Sequence, residues 1–284
     1  MINVLILITS IFLGSGRSVF SKMIPKSKGK REFFSNQAIL FLAASIAIFI
    51  FNPKAFAEIT WLTFIFAAAF GILTIAAQWC YTVALGKGPT SICAMIYSFG
   101  FIFPTIIGSL FWNEPFGFTT FIGLAVTILA IIASSFTDKN NGTKNKGFLI
   151  PNLIAMAASG GLGILQKVHQ SSQDAKNIDA FLIIAFAISM FASLFMAVIS
   201  TKSDNSDKKF SIYPILAGIC FGTVSLTNTL LAGRMKSAIL FPSLNIGVMM
   251  MCLILGIIIF KEKPTKPQIF AFFLGILAIL ILSI

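Results

Sequence analysis

The sequence predicts an all-α integral membrane protein with ten transmembrane helices, arranged as two inverted five-helix repeats. Three observations carry that reading. Of 284 residues, 57% are hydrophobic and 11% charged, and mean hydropathy is +0.94; a surface facing water needs far more polar residues. The apolar residues fall in runs of about 20, the length that crosses a hydrocarbon core of about 30 Å. The stretch GSLFWNEP, Gly108 to Pro115, returns 148 positions later as GIIIFKEKP, Gly256 to Pro264, each with a Gly six residues before a Glu.

Taken in order, the predicted spans are 2–22, 34–51, 59–85, 90–112, 117–136, 147–166, 178–200, 212–233, 238–260 and 266–283. The first starts at Ile2 with no Lys or Arg ahead of it, so it reads as a retained helix rather than a signal peptide with its basic leader. The second and the tenth are the shortest, at 18 residues each. Linkers such as GKGP, NEP, TDKNNGTKNK and KVHQSSQDAKN hold the charges and turn formers that stop each helix.

The polar linker 137–146 divides the chain into residues 1–136 and 147–284. Later spans align at the 148-residue offset, matching Ala84 with Ala232, Gly108 with Gly256 and Glu114 with Glu262. The first spans align through GSGRSVFSK (14–22) and SGGLGILQK (159–167). Five is odd, so the second half enters the membrane upside down.

This layout resembles the drug/metabolite transporter superfamily, EamA type, over essentially the whole chain. The resemblance implies a secondary transporter working by alternating access around a central cavity. Its third, fourth, eighth and ninth helices would line that cavity, with the first and sixth beside them. The expected partners are a small-molecule substrate and the lipid bilayer, with the monomer sufficient. The resemblance also implies both termini in the cytoplasm, and the charges disagree. Loops after odd-numbered spans hold 15 Lys and Arg; those after even-numbered spans hold five, Lys54, Lys167, Lys176, Arg234 and Lys236. Basic loops stay inside, so the expectation is a multi-pass protein of the cell membrane with both termini outside.

Away from the span ends one formal charge remains, Arg17. A cation in hydrocarbon must be paired or reach water, so Arg17 either binds a substrate carboxylate or phosphate or snorkels to the headgroups. Gln78, Tyr81, Tyr97, Asn228 and Asn245 are the polar residues of the expected lining helices, with Tyr97 and Asn245 at equivalent places in the repeat. Each must face another helix or water. Pro104 and Pro242 remove a helical hydrogen bond and are hinge candidates. Glu114 and Glu262 stand just before Pro115 and Pro264 and read as helix-end residues, favoured by about 0.3–1 kcal/mol at the positive end of the following helix.

No Asp or Glu lies in the interior of a predicted span, Asp179 standing at the edge of 178–200, which argues against the buried-Glu proton exchange of the small multidrug resistance proteins. Neither cofactor nor metal is expected. The four Cys lie in apolar runs with no metal spacing, His169 stands alone in a polar loop, and GKGPTS (86–91) lacks the phosphate-loop pattern. The net charge of +12 sits in short loops rather than on a basic helix face, so nucleic acid is not expected. The predicted function is export or exchange of a small metabolite such as an amino acid or organic acid. The alternatives are efflux of cationic compounds, a membrane-embedded enzyme acting on lipid-linked substrates, for which the titratable residues look too scattered, and a non-transporting scaffold.

Overall fold

The computed structural model describes residues 2–25, 29–52, 59–87, 90–114, 116–135, 146–200, 211–261 and 265–283. Its helices are α1 (Ile2–Met23), α2 (Lys30–Phe51), α3 (Trp61–Leu85), α4 (Thr90–Ser98), α5 (Ile102–Phe111), α6 (Phe118–Ser135), α7 (Leu149–Ser171), α8 (Ile178–Ile199), α9 (Tyr213–Ala232), α10 (Ser237–Phe260) and α11 (Lys266–Ser283). α4 and α5 are two parts of one predicted span, separated by the 3₁₀ turn Phe99–Phe101. Among the described residues, eight spans are long and apolar enough to cross a membrane, and the shorter α6 and α11 are apolar as well. The chain is therefore an all-helical, multi-pass membrane protein. Side chains such as Phe51, Trp61, Phe111, Phe118, Phe195 and Val198 point outward, each more than half exposed; lipid, not water, is the solvent for them.

Two elements differ from expectation. α2 begins a turn earlier, because Lys30, Arg31 and Glu32 form its first turn after Gly29. α7 continues five residues past the expected 166 and takes Lys167 and His169 into the helix. Apolar residues Ile164, Leu165 and Val168 continue that helix through what looked like a polar linker.

The helices form two compact units, Met1–Ile75 with His169–Leu230 and Ala76–Val168 with Leu231–Ile284, so each unit draws on both halves of the sequence. In the first unit α2 packs along α8. α8 offers a small-residue stripe, Ala185, Ser189, Ser193 and Ala197, each buried. Van der Waals contact and hydrogen bonds, not hydrophobicity, associate helices in lipid, and small residues let backbones approach. The Ser189 hydroxyl donates to Gly71 O at 3.1 Å, joining α8 to α3. Against α2, α9 brings Gly218 and Gly222 so close that a Cβ would stand 2.2 Å from Leu40 O and 2.6 Å from Ala44 O. Ser10 of α1 donates to Thr227 of α9 at 2.6 Å.

In the second unit α6 packs along α11, and α10 reaches α5, α6 and α11. Ala130, Ile246 and Ala278 form a buried cluster joining α6, α10 and α11. Near its start, α7 lies against the broken span: Asn152 Nδ2 donates to Cys93 O at 3.1 Å. A Cβ on Gly160 would meet Gly100 O at 2.6 Å, so these two glycines set backbone on backbone. α5 and α10 close alike, with left-handed Asn113 (φ 50°) and Lys261 (φ 54°) just beyond their ends.

Candidate functional site

The candidate binding residues divide between the two units. In the first unit Arg17 is half-buried on α1, its guanidinium carbon 3.7 Å from the centroid of the Phe221 ring on α9. Such a contact is worth about 0.5–1 kcal/mol exposed and about 2 when desolvated. Phe221 belongs to an aromatic cluster, its ring tilted against Phe186 at 5.1 Å and Phe41 at 6.2 Å. The Phe221 face offers the guanidinium the negative end of its ring quadrupole. Asn228 lies seven residues further along α9, with its Oδ1 buried and without a hydrogen-bond partner among the described residues.

The second unit brings Tyr81 of α3 and Tyr97 of α4 together, ring centroids 4.6 Å apart and tilted by 40°. Gln78 lies on the preceding turn of α3, half-buried. Asn245 of α10 turns back on its own helix, its Nδ2 donating to Phe241 O at 3.0 Å. The hinge candidates differ. Pro104 follows the 3₁₀ turn, in a span that is broken, whereas α10 continues through Pro242 without interruption.

Glu114 is a helix-end residue, but for a helix other than the one expected. Its Oε2 accepts the Ser237 N–H at 2.6 Å, and its Oε1 lies 3.3 Å from the Ser237 hydroxyl. It thus caps α10, whose first turn otherwise has no side-chain cap. Lys167 Nζ lies 2.6 Å from Glu114 Oε1, with both side chains about nine-tenths buried, and donates to Met235 O at 3.2 Å. Asn113, just before Glu114, has a left-handed backbone with φ 50°. The motif's Gly also has its reason here: a Cβ on Gly108 would stand 2.6 Å from Ser237 Cβ and 2.8 Å from Glu114 Oε2. Glu262 and the linker up to Asn145 lie outside the described residues.

Lys167 therefore leaves the loop-charge count, as do Lys22, Lys30, Arg31 and Lys266 in α1, α2 and α11, so the odd loops keep 11 bases and the even loops four, Lys54, Lys176, Arg234 and Lys236. His169 is likewise no loop residue. It is fully buried, stacked 4.3 Å from Phe181 and edge-on to Phe66 at 6.2 Å. Asp174, in the turn after α7, accepts from the hydroxyls of Thr60 and, at 2.9 Å, Thr63, capping α3 from across the sequence. The Thr60 hydrogen bond chiefly holds its carboxyl below the ordinary range, with desolvation opposing. Among the described residues, the carboxylates of Glu114 and Asp174 are thus taken up by helix ends. The one sequence sign of Lys167 is its alignment with Lys22, as the last residue of both aligned stretches. Nothing local signals Asp174 or Ser237, because their partners lie more than 100 residues away.

An apolar groove of about 360 Å³ runs along α2 and α9, lined by Ile39, Leu42, Ile46, Ile50, Phe51, Ile215 and Ile219 with two alanines. It offers no side chain for a polar solute and belongs to the lipid-facing surface.

Apolar spans joined by short turns, with polar side chains turned inward and carboxylates spent on helix ends, define a multi-pass membrane protein. The family comparison gives its kind. Residues 1–136 match the family model described as the EamA-like transporter family, which supports a membrane transporter of the drug/metabolite kind. Its fold is similar to that of a protein solved by crystallography, with a TM-score of 0.78 and 11% identity over 98% of this chain and 95% of that one. At that identity the likeness concerns the fold. No curated protein matches the sequence.

Proposed function

We propose that the protein is a secondary transporter moving a small polar metabolite, an amino acid or organic acid, across the cell membrane by alternating access, from two inverted repeats, 1–136 and 147–284. The observation that carries the substrate class is Arg17, a half-buried guanidinium inside a span, resting on the face of Phe221. A cation there suits the carboxylate of a solute. Asn228 Oδ1, a buried acceptor without a partner among the described residues, suits an N–H donor. The left-handed caps at Asn113 and Lys261, 148 positions apart, support the repeat.

The assay is uptake by proteoliposomes holding the purified full chain, offered neutral, acidic and basic L-amino acids, citrate and ethidium. Saturable uptake of an amino acid or citrate is expected. The Tyr81–Tyr97 pair favours a second reading, efflux of cationic compounds, through attraction of cations to aromatic faces; transport of ethidium alone would select it.

We place both termini outside, on the excess of basic residues in the odd-numbered loops. A reporter fused after Ile284 that fluoresces only in the cytoplasm should stay dark in intact cells, and a bright signal would reverse the orientation.

A further inference from the structure

We propose that Glu114 and Lys167 are positioning residues for the transported solute, acting through Asn245. The inference rests on the transport reading above and adds to it a role for a buried ion pair that the sequence marks only as a helix end. Three elements of one unit meet at a single carboxylate. Glu114 follows α5, Lys167 stands on the last turns of α7, and Ser237 opens α10. The second bond of Lys167, to Met235 O, holds the turn that leads into α10.

From there α10 runs one turn before reaching the next contact with α7. A Cβ on Gly163 would stand 3.0 Å from Phe241 Cε1 and 2.9 Å from Pro104 Cγ, so both proline-bearing segments rest on this one glycine. Gly160, Gly163 and Lys167 occupy one face of α7 by their spacing of three and four. The broken span is tied to α7 along its length by Cys93 with Asn152, Gly100 with Gly160, and Glu114 with Lys167. These ties make α4, α5 and α7 one body, and Tyr97 rides on it.

Past Phe241 the neighbours of α10 change. Ile246 packs with Ala130 of α6 and Ala278 of α11, and Met250 lies against Gly275 of α11. Pro242 stands at the handover, where the helix lacks one backbone hydrogen bond and bends most easily. Asn245 comes three residues later, on the far side. The ion pair fixes the near end of α10 to the body that carries Tyr97, so bending at Pro242 translates into displacement of Asn245 relative to the Tyr81–Tyr97 pair. Without the anchor the whole of α10 shifts, and the bend no longer sets that spacing.

The test uses the double variant Glu114→Gln with Lys167→Met, which removes both charges and leaves neither buried alone while keeping an oxygen for the Ser237 N–H. In proteoliposomes, with whichever amino acid or citrate wild type transports, turnover per folded molecule is expected to fall about tenfold with KM within about twofold. Lys167→Arg, which keeps charge and reach, is expected to retain most turnover. A second readout needs no solute: spin labels at Leu110 of α5 and Lys236 before α10, both exposed, should give a narrow distance distribution in wild type and a broad one in the double variant. Wild-type turnover in the double variant overturns the positioning role, and an unchanged label distribution overturns the anchoring. Wild type that transports nothing in the panel overturns the transport reading and the positioning role with it, while the label distances still decide the anchoring.

Discussion

Glu114→Ala is expected to lower the stability of the folded protein by about 3–5 kcal/mol, the range for removing one partner of a buried ion pair. Two losses combine. Lys167 keeps its charge in a site about nine-tenths buried and loses the carboxylate that stood 2.6 Å away. The first N–H of α10 loses its acceptor, and an absent cap by itself is worth about 1 kcal/mol. Glu114→Gln should lose about 1 kcal/mol less, since an amide oxygen can still accept from Ser237 while the charge opposite Lys167 is gone. Reversible unfolding in mixed micelles, compared with wild type, reads both variants. An Ala variant as stable as wild type would mean that the pair is solvated and adds nothing.

The second large effect is expected at Gly218. Here α9 lies so close to α2 that a Cβ would sit 2.2 Å from Leu40 O and 2.8 Å from Ala43 Cβ. Neither contact is the end of a flexible side chain, so the helices must separate. Overpacking commonly costs about 1–3 kcal/mol and more where backbone has to move, and in lipid no hydrophobic pressure pushes the helices back together. Gly218→Val should therefore exceed that range and leave little folded protein, whereas Gly86→Val, whose nearest atoms are 3.6 Å away, should be tolerated. The fraction of monodisperse protein after detergent extraction separates the two. Comparable yields would show that α2 and α9 have room to part.

Much of the fold is legible in the sequence because a bilayer leaves few alternatives: an apolar run of the right length must be a helix with its backbone satisfied internally. Nearly all span limits follow to within a residue or two. The failures are instructive. Lys167 and His169 read as loop because charged and polar residues usually end a span, yet one is neutralised by Glu114 and the other is stacked on Phe181. Both pairings are long-range in sequence and leave no local trace. The Gly-x5-Glu motif, by contrast, was visible as a pattern before its cause. Local reasoning assigned Glu114 to the helix that follows it, and the structure gives it to α10, 123 residues away. Gly108 proves to be the vacancy into which Ser237 and the carboxylate fit.

Of the candidate binding residues, Tyr81 and Tyr97 lie in contact with each other. Periodicity could place them on neighbouring spans, but the 4.6 Å separation depends on how α3 and α4 pack. Arg17 was visible at once as the charge inside a span, and its partner was not. Phe221 is one of 31 phenylalanines, and nothing in its neighbourhood distinguishes it until α1 and α9 lie side by side.

Arg17 therefore offers the most direct test of the transport account. Proteoliposomes of wild type and of Arg17→Gln, matched for folded protein, are compared for saturable uptake of amino acids and citrate. The account expects wild type to take up at least one of them and the variant to lose at least tenfold in kcat/KM, about 1.4 kcal/mol of binding to the moving solute. Equal uptake by the two proteins, or none by wild type across the panel, would contradict it.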